Sequence, residues 1–86
     1  FHIHIEGIVQ GVGFRPFVYQ LALAHHLKGW VKNSSDGVHI EITTSIEAAN
    51  HFVEEILDNA PKISHILAHS LHEIKRKDFN DFDIII

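Results

Sequence analysis

The sequence predicts an α+β domain, an antiparallel sheet with two helices on one face and an extra short C-terminal strand. Three observations predict it. Apolar and polar residues alternate with a period of two at the start of the chain and again around residue 40, two longer segments carry apolar residues at helical spacing, and the segments follow one another as βαββαβ. With 86 residues, the chain reads as one domain, 1–86. A domain of this size hides somewhat over ~60% of its unfolded surface.

Phe1, Ile3 and Ile5 alternate with His2, His4 and Glu6, the period of a strand with one buried and one wet face. Ile8 and Val9 lead into a glycine loop. Pro16 suits an early helical position, where its missing N–H is not needed. Phe17, Leu21, Ala24 and Leu27, with Val18 and Ala22 beside them, form an apolar stripe. Gly29 reads as a stop signal, so the first helix is expected from about Arg15 to Lys28. Trp30 to Asn33 reads as a short strand and Ser34-Ser35-Asp36-Gly37 as a hairpin turn. Val38, Ile40 and Ile42 then alternate with His39, Glu41 and Thr43.

Thr44 to Glu47 has the T-x-x-E form of a capping box, ahead of an amphipathic run containing Ile46, Ala49, Phe52, Val53, Ile56 and Leu57. This second helix should stop near Asn59, with Pro61 beyond. Ile63 to Ile74 is open between helix and strand by period, and is assigned as a strand because the sheet needs a fourth. Lys75-Arg76-Lys77-Asp78 is a charged turn, and Phe82, Ile84 and Ile86 close with another strand. Right-handed crossovers turn this order into a ferredoxin-like split βαβ sandwich with the first and third strands central. The alternation in those strands leaves the face opposite the helices exposed.

Composition narrows the function. Hydrophobic residues make up 45% and charged residues 21%, the proportions of a globular protein, and no apolar run reaches the roughly 20 residues of a membrane helix. The absence of cysteine excludes thiolate catalysis and disulfides and fits a cytoplasmic protein. The start at Phe1 rather than methionine reads as a segment trimmed from a longer chain. A net charge of −4 argues against nucleic acid, but the charge is uneven. Residues 1–35 carry three basic side chains against one acidic (+2), and residues 36–86 carry four against ten (−6). An anion is therefore drawn to the N-terminal part.

The string GIVQGVGFRPF, Gly7 to Phe17, lies in that part. Gly11 and Gly13 allow positive φ, so successive N–H groups can converge on a ligand. The following helix adds unpaired N–H groups and the positive end of its dipole, and Arg15 adds a fork of donors. Together these suit a phosphate, the plainer reading being a strand-to-helix turn with a surface arginine. A dinucleotide fingerprint is excluded because Pro16 stands at its third glycine, and no Gly-Lys-Ser/Thr of a Walker loop is present.

Gly7-x-Val9-Gln10-Gly11-Val12-x-Phe14-Arg15, followed by Gly29-Trp30-Val31-x-Asn33, resembles the acylphosphatase family over nearly the whole chain. Pro16-Phe17 after the arginine is similar to one branch, the N-terminal domain of the HypF-type hydrogenase maturation carbamoyltransferases. The resemblance implies a phosphate-binding loop of Gln10, Gly11, Val12, Gly13, Phe14 and Arg15, with Arg15 and Asn33 as the catalytic residues and Asn33 positioning the attacking water. It implies hydrolysis of an acyl phosphate, carbamoyl phosphate in the HypF branch, with no cofactor for this domain. In full-length members it implies ATP and a carbamoyl-accepting maturation partner. Asn33 as a simple turn residue, a free-standing acylphosphatase, and a non-catalytic phosphate or carbamoyl-phosphate binding module are the alternatives.

Nine histidines raise a metal question. His2, His4 and His39 would share the open sheet face with Glu6 and Glu41, and His65, His69 and His72 would share a face only of a helix. The plainer reading, polar residues facing water, assigns no metal. RNA recognition would need aromatics with basic neighbours at those outward positions, where His and Glu stand, and Trp30 and Phe17 are expected in the core.

Overall fold

A computed structural model describes residues 1–86. The elements are β1 (His2–Ile8), α1 (Phe14–Ala24), β2 (Gly29–Ser34), β3 (Gly37–Ile42), α2 (Ile46–Asn59), β4 (His65–His72) and β5 (Phe82–Ile85). They form one sheet in the order β4-β1-β3-β2-β5, with β1 and β3 central as expected. The open segment between Ile63 and Ile74 is a strand, paired antiparallel to β1.

The sheet is mixed rather than wholly antiparallel, because β5 runs parallel to β2. Chain direction explains this. β4 and β2 lie on opposite sides of the β1–β3 pair and run in opposite senses, so a strand that leaves β4, crosses the end of the sheet and re-enters at the far edge matches β2.

Strand register puts the apolar sets on one face. Ile3 faces Ile40, Ile5 faces Val38, and Val31 faces Ile40 from the other side. Phe14, Val18 and Ala22 of α1 and Ala49, Phe52, Val53 and Ile56 of α2 pack onto them, with Phe82 of β5 closing the edge. Each of the larger side chains, alanines aside, contributes roughly 1.5 to 3 kcal/mol by leaving water. This packing, rather than helix propensity, holds the helices to the sheet.

Local chemistry moved several boundaries. α1 ends a turn before Lys28, in a Schellman motif: Leu27 N–H donates to Ala22 O, His26 N–H to Leu23 O, and His26 takes φ 56°. The turn carries Leu27 back into the core. Gly29 is thus no helix stop but the first residue of β2, where a Cβ would lie 1.8 Å from Glu41 O. Only glycine fits so close to the neighbouring strand. The buried stripe of α1 is Phe14–Val18–Ala22, rotated from the expected Phe17–Leu21–Ala24 line, and Ala24 is exposed.

The cap of α2 is Ser45, not Thr44. Ser45 has extended backbone, and its Oγ accepts from Ala48 N–H three residues on. Trp30, expected in the core, pairs with Glu41 on the open face, meets the His2 ring edge-on and carries Lys32 5.5 Å over its ring.

Candidate active site

The β1–α1 loop exposes what most loops conceal, a run of unused backbone donors. Among the turn and loop bonds of the backbone, the first donor after β1 is Phe17 N–H, to Gly13 O. The N–H groups of Gln10, Gly11, Val12, Gly13, Phe14 and Arg15 reach no protein acceptor. Gly11 and Gly13 stand at φ 72° and 77°, the alternation of hand that turns successive amides toward one concave surface. A Cβ on either glycine would meet nothing within 4 Å, so backbone conformation rather than crowding demands glycine there.

The two helix starts differ in kind. Ser45 caps α2 and Glu47 sits in its first turn, both suited to a positive helix end. Gly13 caps α1 with no side-chain bond, and the first turn holds no acid. It holds Arg15 instead, a cation at the positive end of the dipole and an arrangement that opposes folding unless an anion sits between them. Phe14 anchors the assembly, its ring buried in the core while its N–H stays with the loop.

Asn33 lies at the end of β2 opposite Val38, on the helix-covered side of the sheet. Its Oδ1 is fully buried without a hydrogen-bond partner. Such an orphan acceptor costs about 1 to 3 kcal/mol of desolvation. Asn33 therefore keeps an unspent acceptor closed off from solvent.

Side-chain contacts tie the loop to the β2–β3 hairpin and Arg15 to β5. Gln10 Nε2 donates to Ser34 O and, at 3.4 Å, to Gly37 O, clamping the loop to the β2–β3 hairpin just past Asn33. On the other side, the Arg15 Nη1 group donates to Ile85 O at 3.5 Å. Ile85 is level with Lys32 in the parallel β2–β5 register, so the guanidinium sits one residue along from Asn33. The hairpin is itself braced: the Ser34 hydroxyl donates to Asp36 Oδ1, His39 Nε2 lies 2.8 Å from the same oxygen, and the two hold the carboxyl down at about 2.

The loop amides, Arg15 and Asn33 thus come together at one end of the sheet. The side chain of Gln10 is committed to the hairpin, leaving only its backbone to the loop. Sequence reasoning missed the carbonyls of Ser34, Gly37 and Ile85 as the partners that set these positions. Backbone acceptors far along the chain leave no residue-type signal, although β5 itself was readable. Chemically, the arrangement can hold a tetrahedral oxyanion and orient one small donor beside it. It supplies no nucleophile of its own.

A family model described as acylphosphatase matches residues 1–84. The chain is 44% identical over 84 residues to the probable carbamoyltransferase HypF of Methanocaldococcus jannaschii, covering 96% of this chain and 11% of that protein. Among solved structures, full-length HypF in the phosphate- and nucleotide-bound form superposes with a TM-score of 0.92 at 43% identity, over 98% of this chain and 11% of that one. The acylphosphatase from Bacillus subtilis superposes with a TM-score of 0.88 at 34% identity, over 99% and 96%. The chain therefore matches a free acylphosphatase along almost its full length, and spans about a tenth of the HypF relatives.

Proposed function

Given that the chain belongs to the acylphosphatase family, a family of hydrolases, we propose that it hydrolyses carbamoyl phosphate to carbamate and phosphate, as one domain of a HypF-type carbamoyltransferase. The observation that carries the reading is the juxtaposition of unpaired loop amides from Gln10 to Arg15 with the orphan Asn33 acceptor. The amides and the Arg15 guanidinium bind the phosphoryl oxygens. The Asn33 carboxamide orients a water in line with the bond to be broken, which requires the amide to turn its buried oxygen toward the loop. Water oxygen bonds to phosphorus, the bond from phosphorus to the bridging oxygen breaks, and the electron pair leaves on the carbamate. The water's proton passes to a phosphate oxygen.

A carboxylate-type leaving group is a weak base and departs without protonation, so the sparse site suffices for an acyl phosphate. An alkyl phosphate monoester expels a much stronger base and would need the general acid this site lacks. In a full-length protein, ATP and a carbamoyl-accepting maturation partner would take up the later steps, outside this domain. Phosphate release from carbamoyl phosphate, acetyl phosphate and an alkyl phosphate monoester tests the reading. Turnover of the first two and not the third is expected. Binding of inorganic phosphate without turnover of either acyl phosphate would reduce the domain to a binding module.

A further inference from the structure

The sheet face opposite the helices carries a chain of side chains strung between two carboxylates. His2 Nδ1 lies 2.8 Å from Glu41 Oε2, His2 Nε2 lies 2.8 Å from His39 Nδ1, and His39 Nε2 lies 2.8 Å from Asp36 Oδ1. Ionised carboxylates only accept, and a neutral imidazole has one N–H. Two neutral rings therefore supply two protons for three contacts. Starting from Glu41, which Lys77 also holds at 2.7 Å, His2 donates through Nδ1 and accepts at Nε2 from His39 Nδ1. One contact is thereby left without a proton, at the Asp36 end when the count starts from Glu41, and either a further proton or a metal ion fills it.

A third ligand stands beside it. The His4 ring stacks on His39 with centroids 4.3 Å apart and planes within 6°, and His4 Nε2 is 3.7 Å from Asp36 Oδ2. The ligand atoms of His4, Asp36 and His39 all lie within 4.8 Å of one another. Donor atoms around a tetrahedral zinc ion, with bonds of 2.0 to 2.1 Å, are about 3.3 Å apart. The 2.8 and 3.7 Å separations run to the two different oxygens of Asp36, and the ring planes, now parallel, must tilt toward a common ion.

We propose that His4, Asp36 and His39 form a site for a divalent transition-metal ion of the zinc class, with water as the fourth ligand. The donor set of two imidazoles and a carboxylate fits such an ion. His2 and Glu41 hold His39 from behind, the outer-shell arrangement that fixes the tautomer of a metal-ligating histidine. On binding, His4 releases the Asp36 carbonyl that its Nε2 contacts at 2.7 Å, and its Nδ1 is left to Glu6, whose Oε1 is 3.6 Å away. The ion ties β1, β3 and the turn that follows Asn33, a structural role separate from phosphate binding.

The test is zinc chloride titrated into the untagged, chelator-stripped protein, followed by calorimetry, melting temperature and imidazole NMR. One equivalent is expected to bind, raise the melting temperature and shift the His4 and His39 ring signals, leaving His65 and His69 unmoved. His4→Gln, His39→Gln and Asp36→Asn should each weaken binding at least tenfold, and Glu41→Gln should weaken it about 10- to 100-fold through the outer shell. His51→Ala, in the looser His25–His51–Glu55 cluster, should change nothing. Absence of heat, shift and stabilisation would overturn the site, as would zinc affinity indifferent to all three ligand substitutions.

Discussion

Replacing Asn33 with alanine should separate catalysis from stability. The substitution deletes a buried acceptor that has no partner, relieving about 1 to 3 kcal/mol of desolvation against a comparable loss of packing from the half-buried amide. Melting temperature should therefore hold or rise. Neighbouring backbone is unaffected, since the Asn33 side chain makes no hydrogen bond that supports it. Turnover should collapse, because an unpositioned water loses the orienting contribution, on the order of 10²-fold, or about 2.7 kcal/mol of barrier. Phosphate affinity should stay within twofold, as the amides from Gln10 to Arg15 are intact. The assay is carbamoyl phosphate hydrolysis alongside calorimetry with inorganic phosphate and a thermal melt. Parallel loss of phosphate affinity would make Asn33 a binding residue. A melting temperature several degrees lower would show that its oxygen had a structural partner after all.

Arg15→Ala should show the opposite split, with phosphate binding weakened about 10- to 150-fold, equivalent to roughly 1.5 to 3 kcal/mol for a charge-assisted bond, and activity lost with it. Calorimetry with phosphate decides, and unchanged affinity would remove Arg15 from the clamp. His26→Gly should stabilise the fold, since a left-handed non-glycine residue costs about 1 to 2 kcal/mol and glycine's extra unfolded-state freedom returns 0.5 to 1 of it. The net gain of up to about 1.5 kcal/mol should appear as a rise in melting temperature, at about 4 to 8 °C per kcal/mol, and a fall would show that the His26 ring does something the turn needs. Acid should weaken the open face through Glu41. Burial pushes its carboxyl up, but the Lys77 ammonium and the His2 ring outweigh burial and hold it below its ordinary 4.5. A carboxyl lowered in the folded state stabilises above its unfolded pKa, so the difference in melting temperature between the protein and Glu41→Gln should be full above pH 4.5 and shrink as pH falls below it. A difference independent of pH would mean that packing, not charge, is what Glu41 supplies.

The parts of this structure that could be read from sequence are those set by neighbours along the chain. Alternation in Phe1–Glu6 and Val38–Thr43 specified which face each central strand buries, because a one-residue slip would send every isoleucine to water. The positive φ of Gly11 and Gly13 was likewise legible, since only local sterics decide it. Misreadings occurred where a distant surface took the decision. Gly29 looks like a helix stop until the carbonyl of Glu41 arrives from across the sheet, and His26 has no intrinsic reason to turn left-handed until Leu27 must reach the core.

The candidate site divides along the same line. Its donors are local: a glycine-capped helix and a loop whose amides stay free because no side chain within reach competes for the cap. Its geometry is not local. Arg15 is aimed by the Ile85 carbonyl seventy residues on, and the loop is held by the carbonyls of Ser34 and Gly37. The 3.5 Å contact between Arg15 and Ile85 O is long for a hydrogen bond, and a neutral carbonyl is a weak acceptor beside a phosphoryl oxygen. β5 is therefore expected to hold the guanidinium near Lys32, one residue from Asn33, until a stronger anion competes for it. The strand that extends the sheet beyond βαββαβ thus bears directly on how the arginine is presented, and shortening it should disturb Arg15 before it disturbs the core.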